Sequence, residues 1–201
     1  WLAEMTEGSR AEVKKWIRQG RVYVNETKVQ RPETKLDPGR DQVTLDGEQI
    51  IYEQFCYYML NKPAGVVSAT TDREHKTVID LLQEANTQDV FPVGRLDIDT
   101  EGLLLLTNDG ALAHELLSPR KHVDKTYFVR IAGNLSDADV KQLEQGMDIG
   151  DEKLTLPAKV SCLEQFPEEQ EQTVMIKLRE GRYHQVKRMF AKVGHPVLYL
   201  Q

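Results

Sequence analysis

The stretch GRLDIDTEGLLLLTNDG, residues 94–110, sets an arginine and two aspartates directly before an almost purely aliphatic run. GLLLLTN is short and continuously apolar, so it reads as a strand at the centre of a sheet. The loop before it then carries Arg95, Asp97 and Asp99 to one end of that sheet. Asp99 and Thr100 have the short polar side chains that shape turns. Asp97 is different, because it stands between Leu96 and Ile98, where an unpartnered charge is costly.

Working outward, DGALAHELLS reads as a helix capped by Asn108 or Asp109, and KTYFVRI as a strand. The helix DADVKQLEQG, strands near PAKVSCLE and TVMIKLRE, and a closing helix RYHQVKRMFAKVG follow. CLEQFPEEQEQ lacks periodicity and reads as a solvated acidic loop between two strands. On the other side, FCYYMLNKPAGVVSA reads as a strand, a turn at 62–65 and a second strand. KTVIDLLQEA reads as an amphipathic helix with Val78, Leu81 and Leu82 on one side, and VFPVGRLD as a strand entering the loop. Strands outnumber crossover helices, which predicts an α+β fold with a mixed, mostly antiparallel sheet and flanking helices.

In the closing helix Val186, Met189, Phe190 and Val193 share one face, while His184, Arg188 and Lys192 share the other. Lys187 falls at the border, where an ammonium reaches a partly buried site while its stem lies on apolar surface.

Residues 1–50 have a different character and are expected to form a separate small domain ahead of 51–201. Val13, Trp16 and Ile17 make a helix face, and Arg10, Lys14 and Arg18 make a separate basic stripe. Ser9 is placed to cap that helix and Gly20 to end it. RVYVNETKV turns at Asn25-Glu26, and DQVTLDGEQI turns at Asp46-Gly47, giving two short strand pairs.

The chain has 201 residues, of which 40% are hydrophobic, and no aliphatic run of membrane-spanning length. Its net charge of -6 argues against a general nucleic-acid coat, but the basic residues cluster in SRAEVKKWIRQGR, SPRKHVDKTYFVR and KLREGRYHQVKRMFAK. A locally basic face on an acidic protein suits a selective polyanion partner. Cys56 and Cys162 match no zinc or redox spacing, and His184 and His195 have no partner at metal-ligand spacing, so no metal or cofactor is expected. No secretory pattern opens the sequence, which is therefore expected to act in the cytoplasm.

GSRAEVKKWIRQGRVYVNETKV resembles the S4-type RNA-binding domain, in which a Ser-Arg pair opens a basic helix and a GRVxVN strand follows. That resemblance makes Arg10, Lys14, Arg18 and Arg21 candidates for contacts to RNA phosphates. The chain begins inside the first helix at WLAEM, whereas such domains usually open with a short basic lead. GRLDIDTEGLLLLTNDG closely resembles the signature of the pseudouridine synthases, in the branch that includes the RsuA and RluA types. MLNKPAG, HVDKTYFV and EGRYHQVKRMFAKVGHPV fall in the order that branch requires, so the resemblance covers nearly the whole chain.

The resemblance implies roles. Asp97 matches the essential aspartate, Tyr127 the tyrosine that stacks on the target uracil, and Lys187 the basic residue that pairs with the aspartate. Arg95 matches the arginine associated with the gap left by a flipped nucleotide. Lys62, Arg182, His184 and Arg188 stand as further RNA contacts. Lys187 beside Asp97 is expected to favour its charged form. EGRYHQVKRMF with an S4-type domain looks most like the RsuA type, which modifies a uridine in small-subunit ribosomal RNA. The partner is then ribosomal RNA or an assembly particle, met by a monomer. A large-subunit enzyme and an RNA-binding assembly protein without catalysis are the alternatives; glycoside hydrolysis by Asp97 and Asp99 is a weaker third. The family continues past the strand near Val197, so a chain stopping at Gln201 is expected to lack a C-terminal tail.

Overall fold

The computed structural model describes residues 1–6, 8–51, 55–82, 89–118, 121 and 123–201. The chain divides into two compact units, Trp1–Cys56 and Tyr57–Gln201. No helix among the described residues is long and apolar enough to cross a membrane.

In the first unit, α1 (Leu2–Met5) precedes α2 (Arg10–Gln19). Ser9 accepts from the Glu12 amide while the Glu12 carboxylate accepts from the Ser9 amide, a reciprocal capping box. Gly20 ends the helix at φ 73°, a left-handed conformation that costs glycine nothing. A four-stranded antiparallel sheet follows: β1 (Val22–Val24), β2 (Thr27–Lys28), β3 (Val43–Leu45) and β4 (Glu48–Ile50), in the order β2-β1-β3-β4. Both turns adopt positive φ, at Asn25 and Glu26 and at Asp46 and Gly47, which matches the twist of two-residue hairpins. Leu2, Ile17, Val22, Val29 and Val43 are the buried core of this unit.

The second unit has two antiparallel sheets. Strands β5 (Tyr57–Lys62), β6 (Phe91–Pro92) and β7 (Gly102–Thr107) form one, in the order β5-β7-β6, so β7 is central as expected. Strands β8 (Lys125–Ala132), β9 (Lys159–Phe166), β10 (Glu171–Leu178) and β11 (Val197–Leu200) form the other, in the order β11-β8-β10-β9. The Glu101 amide donates to Leu200 O at 3.1 Å, joining the start of β7 to the end of β11. Helix α3 (Gly110–Leu117) is capped by the Asp109 side chain. Helices α4 (Asp137–Gln145) and α5 (Gln185–Lys192) bury Leu143, Val186, Met189 and Phe190 among the inward residues of β8, β10 and β11. Each such large side chain, fully buried, stabilises the unit by roughly 1.5–3 kcal/mol.

Four readings need correction. Val66 to Ala69 do not form a second strand; among the described residues that segment makes only an isolated parallel bridge, Val67 to Thr77, and the Ser68 side chain bonds instead to the backbone of Leu96. The helix expected over KTVIDLLQEA is a single 3-10 turn at Ile79–Leu81; Gln83, Glu84 and Ala85 lie outside the described residues. Most of CLEQFPEEQEQ is paired in β9 and β10, which leaves only a short turn. Within β7 the leucines alternate: Leu104 and Leu106 are buried, whereas Leu103 is 73% exposed on the opposite face. Arg120 and His122 of the second basic cluster also lie outside the described residues.

Candidate active site

The loop from Gly94 to Glu101, between β6 and β7, is held to the segment after β5 at several points. Ser68 Oγ donates to Leu96 O at 2.8 Å and accepts from the Leu96 amide at 3.1 Å. The Gly65 amide donates to Ile98 O at 2.7 Å, and the Thr100 amide returns to Asp97 O at 3.0 Å. Gly65 stands at φ 81°, a conformation available to it without a side-chain clash.

Lys62 completes this attachment and corrects the expectation of an RNA contact. Its side chain is 0% exposed, and its ammonium donates to Thr100 O at 2.8 Å, Pro63 O at 3.0 Å and Ile98 O at 3.4 Å. Burial pulls its pKa below the ordinary lysine value, against the charges of Asp99, Asp97 and Glu101. A buried cation needs such partners, and here they are the carbonyls of the aspartate loop. Lys62 is a brace for the loop, not a surface for phosphate.

Asp97 projects from this braced loop toward α5. Its Oδ2 lies 3.2 Å from Lys187 Nζ, and its Oδ1 lies 3.5 Å from His184 Nε2. Lys187 also donates to Asp99 Oδ1 at 2.5 Å, so one ammonium serves two carboxylates. Partial burial works to lower the Lys187 pKa, but hydrogen bonds to Asp99 and Asp97 outweigh it and hold the group above its ordinary value. The hydrogen bond from Lys187 holds the Asp99 carboxyl below its usual range despite burial. Asp99 sits at the turn expected of it, and it also has an ionic partner that turn chemistry did not suggest. The signal for it in the sequence was the spacing of two carboxylates, which alternating geometry does not resolve without the facing helix.

Tyr127 enters from β8. The strand alternates, so Tyr127 shares the inward face with Val129 and Ile131, opposite Ile176 and Val174 of β10. Burial first, then the charge of Asp97, push its phenol above the ordinary tyrosine value. Arg95 is exposed on the same loop as Asp97, and its guanidinium pairs with no described residue.

Arg182 and Arg188 keep 23% and 27% of their side-chain surface exposed and are hydrogen-bonded within the protein. Arg182 donates to Lys153 O at 2.6 Å, Leu154 O at 2.7 Å and Glu180 Oε2 at 3.1 Å. Arg188 donates to Ile149 O at 2.6 Å, Asp151 Oδ1 at 2.5 Å and Tyr183 O at 2.9 Å. Their forked donors tie the 148–154 loop to the turn before α5. His195 is likewise structural, with Nδ1 2.9 Å from Ala132 O. In the first unit Arg10, Lys14 and Arg18 are exposed along α2. Arg21 instead forms a two-point ion pair with Asp46 and lies 5.6 Å from the Trp16 ring centroid, so it braces the unit.

Comparison with known proteins accounts for this arrangement. Residues 56–192 match the family model described as RNA pseudouridylate synthase, and residues 1–41 match the S4 domain. The chain is 44% identical over 201 residues to the uncharacterized RNA pseudouridine synthase YtzG of Bacillus subtilis (strain 168), covering all of this chain and 83% of that protein. It is 41% identical to the ribosomal small subunit pseudouridine synthase A of Yersinia pestis, with all of this chain and 83% of that protein covered. It is 36% identical to the ribosomal large subunit pseudouridine synthase B of Bacillus subtilis (strain 168), with 100% and 81% covered. A crystal structure of a pseudouridylate synthase superposes with a TM-score of 0.64 at 33% identity, over 99% of this chain and 84% of that one.

Proposed function

This chain belongs to the RNA pseudouridylate synthase family and carries an S4 domain, and from that premise we propose that it isomerises a specific uridine of small-subunit ribosomal RNA, with Asp97 as its catalytic carboxylate. The observation that carries the assignment to Asp97 is its placement: a carboxylate on a braced loop, 3.2 Å from the Lys187 ammonium contributed by a different element. Small-subunit RNA is favoured because the match to the small-subunit enzyme, at 41% identity, exceeds the match to the large-subunit enzyme, at 36%.

In the reaction the N1–C1′ bond of uridine breaks, the uracil turns over, and C5 bonds to C1′. The C5 proton is lost and N1 gains one, so neither an oxidant nor a group donor is consumed. The Asp97 carboxylate initiates this by bonding to C1′ or by removing a sugar proton, and both routes place it against the ribose. Lys187 compensates charge there, and it remains an ammonium because its two carboxylate partners raise its pKa. Tyr127, half-buried and kept protonated by its surroundings, offers the uracil an aromatic face beside the carboxylate.

The target base must leave its stack to reach Asp97. Arg95, exposed and unpaired, is placed on the same loop to fill the gap. The stripe of Arg10, Lys14 and Arg18 holds RNA phosphates, which positions the substrate without reading sequence. The protein is read as working in the cytoplasm, where ribosomal RNA is its partner.

Mapping pseudouridine in small-subunit RNA incubated with wild type and Asp97→Ala tests the proposal. The expected result is one modified uridine that vanishes with the variant. Product from both proteins would remove Asp97 from the chemistry, and modification confined to large-subunit RNA would move the substrate to the other subunit.

A further inference from the structure

Tyr183 and His184 form an aromatic pair beside Asp97 that the catalytic roles leave unused. Their rings are parallel to within 18° with centroids 3.8 Å apart, yet Tyr183 remains 72% exposed. The imidazole covers one face of the phenol ring, so the exposure belongs to the opposite face and the edge.

An exposed tyrosine is commonplace on a protein surface; one on a backbone hydrogen-bonded at this many points is less so. Arg188 Nη1 donates to the Tyr183 carbonyl at 2.9 Å, and the Arg182 amide donates to Gln185 Oε1 at 2.9 Å. His184 adopts φ 48° and ψ 34°, a left-handed conformation that a non-glycine residue holds at an energetic cost. That conformation directs the imidazole to the carboxylate, with Nε2 3.5 Å from Asp97 Oδ1. The open tyrosine face is therefore one imidazole away from Asp97, on a turn whose backbone is hydrogen-bonded by Arg188 and Gln185.

We propose that the open face of Tyr183, backed by His184, is a stacking site for a nucleobase that neighbours the target uridine in the RNA. The proposal rests on the isomerase reading: extruding the target unstacks its neighbours, and an aromatic face near the catalytic carboxylate restores a stacking partner to one of them. Stacking suits either a purine or a pyrimidine, because every base has a π-face. The His184 ring already lies against one face of the phenol, so a base on the other face extends an existing stack. This site is distinct from Tyr127, which lies on the inward face of β8 and receives the target uracil itself.

The test measures equilibrium binding of labelled small-subunit ribosomal RNA transcript to wild type, Tyr183→Ala, Tyr183→Leu and Tyr183→Phe. Alanine and leucine should weaken binding roughly tenfold, the range of a lost base-aromatic stack, and phenylalanine should restore it. Leucine separates stacking from mere apolar area. A transcript with an abasic nucleotide next to the mapped target should bind wild type about as weakly as Tyr183→Ala binds the intact transcript, with little further loss when both changes are combined. Equal affinities for alanine and phenylalanine, or losses that multiply independently in the combined case, overturn the proposal. If wild type forms no pseudouridine, the isomerase reading fails. The same four proteins are then compared with a labelled single-stranded oligouridylate, where equal affinities still overturn the stacking site and a ring-dependent difference still supports it.

Discussion

The ammonium of Lys187 stands closer to Asp99, at 2.5 Å from Oδ1, than to Asp97, at 3.2 Å from Oδ2. The two aspartates are unequal in other ways: the Asp97 side chain is 25% exposed and that of Asp99 is 66% exposed. Replacing Lys187 by Met leaves two adjacent carboxylates without their shared cation. Single-turnover pseudouridine formation is expected to fall by about 100-fold or more, as for loss of a preorganised electrostatic group. Asp99→Asn should cost less than about tenfold, because exposed ion pairs contribute little. Equal losses in Asp97→Asn and Asp99→Asn would instead favour a two-carboxylate mechanism of the glycosidase kind.

The same pair sets a pH dependence of stability. The folded-state pKa of Asp99 is depressed, chiefly by its hydrogen bond from Lys187. Its stabilisation is therefore present above the ordinary aspartate pKa of about 3.9 and is lost as pH falls through the depressed folded value. Thermal unfolding of wild type and Asp99→Asn across acid pH should show a Tm gap above about pH 5 that closes in more acidic solution. A gap that persists undiminished at low pH contradicts this.

Lys62 holds the aspartate loop from within. Lys62→Met keeps much of the side-chain length but leaves the carbonyls of Ile98 and Thr100 without their buried donor. The expected loss of stability is about 1–3 kcal/mol, together with a fall in catalytic rate larger than any change in RNA affinity. Calorimetry and single-turnover kinetics read the two effects. A variant that weakened RNA binding alone would restore the phosphate-contact role.

The helix stripe is tested through salt. Removing Arg10 and Lys14 together is expected to reduce the slope of log affinity against log salt by about 2, with the unfolding transition of the protein preserved. An unchanged slope excludes these residues from phosphate contact.

Tyr127→Phe keeps the aromatic face and loses the phenol, whereas Tyr127→Leu loses both. The phenol is held protonated by burial and by the charge of Asp97, so if its role is to stack on uracil, phenylalanine should bind RNA as wild type does while leucine does not. The difference in rate between wild type and phenylalanine then measures what the hydroxyl adds to the reaction.

Local chemistry in the sequence was sufficient for many elements. Ser9 and Gly20 bound α2, Asp46-Gly47 turns the β3-β4 hairpin, and Asp109 caps α3, because each acts on backbone groups within a few residues. The apolar face of α5 was legible for the same reason, since Val186, Met189 and Phe190 repeat at the helical period and are all buried. The motif order pointed to Asp97, Tyr127 and Lys187, and they converge from a loop, a strand and a helix.

Cations were legible as charges but not as partners. Lys62, Arg182 and Arg188 look alike in sequence with Arg10 or Lys14, yet the first is wholly buried and the other two hold backbone carbonyls about 28 to 39 residues away along the chain. Whether a long basic side chain meets solvent or a carbonyl depends on which loop folds over it, and sequence spacing carries no record of that. Lys187 and Asp99 are 88 residues apart, and only the packing of α5 against the loop before β7 brings them together. Sequence alone therefore determined the family and many of the elements, through motif order, periodicity and capping, which are local. Tertiary structure alone decided which charges brace the site, which stay exposed, and that Lys187 serves two carboxylates, because electrostatic partnership follows distance in space.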